Sequence, residues 1–292
     1  MTTDPPEPKP RRKWHFYKWL VLLIVATFAY AQWRAYTFRS ALKEAKALGW
    51  HVQYIEPSAM IRKNWRTAFK KQTWIDGVTK VAVSTGEQLE QHLDILRRLD
   101  PRELTIGDSP GLRDLSLLKG LTRLESLKLF RVLNLTNVDA LKNLPTLKSA
   151  WLIHAASLTN VDGLKNLPEL NSVVLQDCTW LMNVDALKTL PTLQDLSLRG
   201  CTALTNVDAL KGLTALESIQ LTNCTGLTNV DAIKGLTALQ QVDLQKCTGL
   251  TKESIAALKA ALPNTKFQTD WFPPLRKPNE LDTPPGARDT DR

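Results

Sequence analysis

Apolar residues recur along most of this chain with two superimposed spacings. Within a short block they read L-x-x-L-x-L, and the block returns every 23 residues. The clearest copy runs Leu193, Leu196, Leu198, Cys201, Leu204, Val207, Leu210 and Leu213, and the segment from Leu135 to Leu141, LTNVDAL, comes back with small changes from Leu158, Leu181, Leu204 and Leu227. Leu112 and Leu250 open worn copies. The last two leucines of L-x-x-L-x-L are two residues apart, so in extended chain they share one face while the residue between them points to the other. Each copy therefore predicts one strand. The return leg, as in Ala209 to Leu213, is five residues, too few for a stable α-helix, and predicts a 3-10 turn or loop.

The same frame extends to both sides. Strand centres fall near 81, 104, 127, 150, 173, 196, 219, 242 and 265, about nine in all. After the first, Leu89, Leu93 and Leu96 predict a helix from Gly86 to Leu99, with Ser84 and Glu87 as a capping box. A repeat stack needs its open ends covered. Tyr36 to Thr85 predicts that cover: a helix over Ala41–Leu48, a strand over Trp50–Ile55, a basic helix over Ala59–Lys71, and a small core of Trp50, Trp65 and Trp74. The run Trp271-Phe272-Pro273-Pro274 stops the stack, and a polar tail follows.

Charge divides unevenly. Of 38 Lys+Arg and 29 Asp+Glu, residues 1–100 hold 17 and 9, whereas residues 101–263 hold 16 and 15. The basic balance belongs to the N-terminus, which argues against a nucleic-acid groove on the main body. Residues 1–13 are a proline-rich basic tail. From Trp19 to Trp33 there are fifteen residues without a charge, bounded by Lys18 and Arg34. With Trp14, Phe16, Tyr17, Trp33 and Tyr36 at the interfaces and both cations snorkelling, residues 14–36 predict a single membrane-spanning helix. The rival reading is a cleaved secretory signal, because Ala29-Tyr30-Ala31 is an A-x-A site behind a short apolar core. Five basic residues precede the run and four follow it, between Arg34 and Lys46, which places the repeats outside the cytoplasm, on a cell membrane.

The 23-residue pattern resembles the leucine-rich repeat family. The resemblance implies an α/β solenoid: a curved horseshoe with a parallel concave sheet of about nine strands and a convex side of short 3-10 turns or loops, here preceded by a transmembrane helix and a small α/β cap. The division is then a tail (1–13), a span or signal segment (14–36), a cap including the first coil (37–100), the repeat solenoid (101–272) and a second tail (273–292). An anchor, a cap and a short array in this order look like bacterial membrane-tethered leucine-rich repeat proteins. The return leg T-N-V-D-A-L-K-G-L is similar to that of internalin-type repeats, although this chain uses Cys where they use Asn at the turn and has one more residue per coil.

Several columns imitate sites. Cys178, Cys201, Cys224 and Cys247 are spaced by the repeat itself, so they read as a structural ladder of buried thiols that cap the turn after the strand. Asp139, Asp162, Asp185, Asp208 and Asp231 form a second ladder, placed to accept the free N–H groups of the return turn. The lysine column from Lys142 to Lys234 has Asp three positions before each member, which offsets a phosphate-binding stripe. Arg62, Lys63, Arg66, Lys70 and Lys71 have no acidic residue among them and are candidates for contact with anionic lipid. His15, His51, His92 and His154 give no ligand spacing, no cofactor is implied, and P-loop, G-x-G-x-x-G, G-x-S-x-G and HExxH motifs are absent.

The side chains left for function are those between and after the paired leucines. In three successive coils these include Phe130, Trp151, Ile153 and Val174, bordered by Lys128, Arg131 and His154. An apolar aromatic cluster with a polar rim suits protein recognition. The expectation is a membrane-anchored, non-enzymatic scaffold that takes a protein or cell-envelope ligand on its concave sheet. The alternative is a structural or adhesive envelope spacer without a discrete ligand.

Overall fold

The computed structural model describes residues 12–54 and 78–269. Its centre is one sheet of ten strands in sequence order: β1 (His51–Tyr54), β2 (Val78–Val83), β3 (Glu103–Ile106), β4 (Ser126–Phe130), β5 (Ser149–Ile153), β6 (Ser172–Gln176), β7 (Asp195–Ser197), β8 (Ser218–Gln220), β9 (Gln241–Asp243) and β10 (Lys266–Gln268). β1 is antiparallel to β2 and every later pair is parallel. From β2 to β9 the register is 23 residues per strand, so Leu104, Leu127, Ala150, Val173, Leu196, Ile219 and Val242 stand in one row. All seven are buried, as is the parallel row from Ile106 to Leu244. Among the described residues the side chains between the sheet and the return legs are apolar but for Ser109, and this continuous burial holds the stack together.

The return legs are 3-10 turns, as predicted. They open at Ser116, Asp139, Asp162, Asp185, Asp208 and Asp231. The last one is different: Lys252–Ala261 is an α-helix of ten residues. Thr251 caps it by accepting from the Ser254 amide at 3.1 Å. The longer leg shifts the final register, so that Phe267, rather than Thr265, pairs with Val242.

The N-terminal part departs most from expectation. A single helix α1 runs from Arg12 to Ala47, merging the predicted span with the predicted cap helix, because neither Pro nor Gly interrupts the segment. Among the described residues no helix is long and apolar enough to cross a membrane. The transmembrane helix expected over 14–36 is not found among the described residues: the uncharged run alone, fifteen residues, rises only about 22 Å against a hydrocarbon core of about 30 Å. The C-terminal third of α1 docks on the repeat body. Ala41 and Ala45 are fully buried, and Arg98 grips Glu44 through two hydrogen bonds. That guanidinium, with the Ser40 hydroxyl, lowers the Glu44 carboxyl to about 2. Arg34 and Arg123 each stand 3.7 Å from the Asp100 carboxylate.

The predicted helix over 86–99 is two, α2 (Gly86–Gln91) and α3 (Leu93–Leu99), broken at His92. The Ser84–Glu87 capping box is not formed. Thr85 is the N-cap, without a side-chain bond, and Ser109 of the next coil instead accepts from the Gly86 amide at 2.5 Å. Trp50 is buried as expected. Trp65, Trp74, the basic helix Ala59–Lys71 with Arg62, Lys63, Arg66, Lys70 and Lys71, and Trp271 onward lie outside the described residues.

Candidate functional site

The backbone of each coil turns in the same way. Directly after β4, β5 and β6, and three residues past the shorter β7, β8 and β9, comes a residue with positive φ: Arg131, His154, Asp177, Gly200, Asn223 and Lys246, at 54° to 74°. The sequence announces such a column most clearly at Gly200 and Asn223 and more weakly at His154 and Asp177, since Arg and Lys seldom adopt this conformation. Each turn is held by its neighbour. The amides of Arg131, His154 and Asp177 donate to the carbonyls of Ile153, Gln176 and Arg199 at 2.7 to 2.9 Å. These bonds carry the sheet ladder past the strand ends and fix where the following side chains point.

On the solvent face of the sheet, pairing sets Lys128 beside Trp151 and Trp151 beside Val174, while Phe130 stands beside Ile153. The predicted cluster is thus assembled by register alone. Its depth differs from expectation: Lys128, Phe130, Trp151, Ile153 and Val174 are half-buried, packed side by side. The Lys128 ammonium sits 4.3 Å over the Trp151 ring, a cation–π contact that covers one indole face. The Trp151 Nε1–H is buried and finds no acceptor among the described residues, a cost that a neighbouring ligand acceptor could relieve. The rim is charged and zipped between coils. Arg131 stands 3.5 Å from Asp108, and His154 Nδ1 stands 3.2 Å from Asp177. Past β6 the same columns turn polar, with Ser197 donating to Gln220 at 3.2 Å and Thr222 to Asp243 at 2.7 Å.

The two ladders are internal. Cys201, Cys224 and Cys247 donate through Sγ to Leu175, Leu198 and Leu221 carbonyls at 3.2, 3.0 and 2.9 Å, and Cys178 more weakly to Leu152 at 3.7 Å. Each thiol thereby satisfies a strand-end carbonyl of the preceding coil. The Cys178 thiol beside it, followed by burial, pushes Cys201 up; burial, with Cys247 nearby, pushes Cys224 up to about 12. The aspartate ladder does not cap as its position suggested. The capping oxygen comes two residues earlier: Asn137, Asn160, Asn183, Asn206 and Asn229 accept from the amides of Asp139, Asp162, Asp185, Asp208 and Asp231. The asparagine forms an Asx turn, leaving the carboxylate exposed to reach Lys165 from Asp162 and Lys234 from Asp231. Among the described residues no group of three His, Cys, Asp or Glu side chains could hold a metal ion.

One exposed feature escaped the sequence reading. Trp180 and Met182 are 61% and 57% exposed, at positions where other coils carry Asn, Ser, Ala or Gly and, but for Arg113 in the first, Thr. The break in both columns was the available signal.

The repeat frame, the 3-10 legs and the inward leucine rows together define the class, and residues 122–251 match the model of the BspA type leucine-rich repeat region in six copies. Over those residues the chain is similar to a BspA-type leucine-rich repeat region. The fold is also that of internalin C2 from Listeria monocytogenes, with a TM-score of 0.53 at 23% identity, over 68% of this chain and 83% of that one. The leucine-rich repeat domain of the type III effector XopL is matched at a TM-score of 0.48 and 20% identity, over 82% and 93%. No curated protein matches the chain. Along this array the repeated geometry belongs to the buried rows, and the solvent columns vary from coil to coil.

Proposed function

We propose that the chain is a non-enzymatic interaction scaffold that takes a protein partner on the N-terminal half of its solvent-facing sheet. One observation carries this reading. Lys128 and Trp151 form a cation–π pair amid Phe130, Ile153 and Val174, at columns that the fold itself does not need. A half-buried aromatic anchor with a charged rim is the composition of an energetic hot spot. The test is photocrosslinking in the native cell with a benzophenone side chain placed at Ile153 or, as a control, at Gln220. A discrete adduct at 153 and none at 220 is the expected result. Equal scatter at both positions, or none at either, would favour an envelope spacer without a discrete ligand.

A second reading concerns attachment. Trp19, Val21, Leu22, Leu23, Val25 and Trp33 on α1 are all more than half exposed. Val21, Leu22 and Leu23 are 100° apart in projection, so the apolar surface runs round the helix rather than along one stripe. A partner helix would cover a stripe, whereas lipid covers the circumference. We propose that this stretch inserts into a bilayer and holds the repeats at a membrane.

A further inference from the structure

The foot of α1 carries a basic collar. Where the apolar stretch ends, Arg34, Arg39, Lys43 and Lys46 follow on α1, with Glu44 as their one acidic companion before Ala47. α3 packs against this part of the helix and adds Arg97 and Arg98. The available carboxylates are already engaged. Glu44 and Asp94 are both held by Arg98, and Asp100 is shared by Arg34 and Arg123. Arg39, Lys43 and Arg97 are exposed, and no carboxylate among the described residues pairs with them.

We infer that this collar binds the headgroups of anionic phospholipids in the bilayer that receives α1. The inference rests on the insertion proposed above and adds the lipid class. Arg34 follows directly on Trp33, and Arg39 lies about 9 Å beyond Trp33 along the axis at 1.5 Å per residue. Arg34 falls within headgroup depth once Trp33 sits at the interface, and the long Arg39 side chain, tilted toward the helix N-terminus, reaches back to it. Lys43 and Arg97 face the same zone at a distance comparable to the screening length of about 8 Å. α1 has no break between the apolar stretch and its docked end, so the collar cannot turn away from the membrane without moving the whole repeat body. A surface with two guanidiniums on one carboxylate and further cations beside it is complementary to a layer of phosphodiesters.

The test is a vesicle partition assay with the full chain, using neutral phosphatidylcholine vesicles and vesicles containing roughly 30% phosphatidylglycerol. Each cation near an anionic surface is worth roughly fivefold in partition. The triple variant Arg39→Gln, Lys43→Gln, Arg97→Gln should therefore lose on the order of 100-fold on anionic vesicles while keeping its partition into neutral ones. The variant Lys142→Gln, Lys188→Gln, Lys211→Gln removes the same charge from the return legs and should behave as wild type. Equal partition of wild type into both vesicle types, or equal loss in the two triple variants, overturns the headgroup site and leaves insertion standing. No partition into either vesicle overturns insertion and the headgroup site together.

Discussion

The two halves of the sheet are built on one backbone and finished differently. Strands β4 to β6 are five residues long, and β7 to β9 are three. The inward rows are equally buried in both, and the backbone ladder continues past the shorter strands, as the Leu198 amide donates to Gln220 at 2.7 Å. What changes is the solvent side, where Phe130, Trp151, Ile153 and Val174 give way to Ser197, Arg199, Gln220 and Thr222. β-Branched and aromatic side chains favour the pleated conformation and pack across strands, so the half with the apolar surface is also the more regular half. The stack is therefore a common support, and the apolar solvent-facing chemistry is an addition confined to three coils.

The comparison breaks most visibly if the core is not shared. Leu152 and Leu221 occupy the same inward position in the two halves and are both fully buried. Leu152→Ala and Leu221→Ala should each cost about 3 kcal/mol, through lost transfer energy plus the cavity left behind. Urea melts of the two variants should then shift alike. A loss at one position more than twice that at the other would show that the halves fold as separate units.

A smaller effect separates close coils from open ones. Gly163 stands where Ala140, Ala186, Ala209 and Ala232 stand in other coils, and a Cβ there would run into the Val138 carbonyl of the preceding coil. Gly163→Ala should cost about 2 kcal/mol, since the coil must shift to admit the methyl group. Gly235 has open space around its Cβ position, so Gly235→Ala should change stability by roughly 0.5 kcal/mol or less. Thermal melts of the pair measure the difference. Equal behaviour would mean that the stack relaxes freely between coils.

Much of this architecture could be read from the residues because one number, 23, repeats with little error from Val81 to Val242. The strand centres, the inward rows and the membership of the Lys128–Trp151 cluster all follow from that period. Departures came where a local feature overrode it. At the last leg, KESIAALKAA forms a capped α-helix and moves Phe267 into register. In the N-terminal segment, an uninterrupted helix joins two predicted pieces. At the turns, a side chain two residues away takes the role expected of aspartate. Side-chain depth was also beyond a pattern argument: Trp151 lies on the predicted face, yet Lys128 covers one side of its ring. Spacing assigns a face, whereas the neighbours' volumes decide how far a residue stands out from it.

The cysteine ladder offers the smallest and sharpest comparison, because it occupies only the later coils. Val132 and Ala155 fill the same column in the earlier ones, so the position tolerates a small apolar group. Cys224→Ala should cost about 1 kcal/mol at neutral pH, the worth of the Sγ contact to the Leu198 carbonyl and a little volume. The pH dependence distinguishes a thiol from a mere space filler. Burial pushes Cys224 up from about 9 to about 12, so the folded chain keeps the proton while the unfolded chain loses it above pH 9 or so. The stability this group lends is fully present below about 9 and is lost as pH rises from there toward about 12. Wild type should therefore lose stability faster than Cys224→Ala between pH 8 and roughly 10.5, narrowing the gap between them or reversing it. Parallel urea-melt profiles across that range would mean that Cys224 ionises as readily inside the stack as outside it, and the tight seal between the later coils would have to be abandoned.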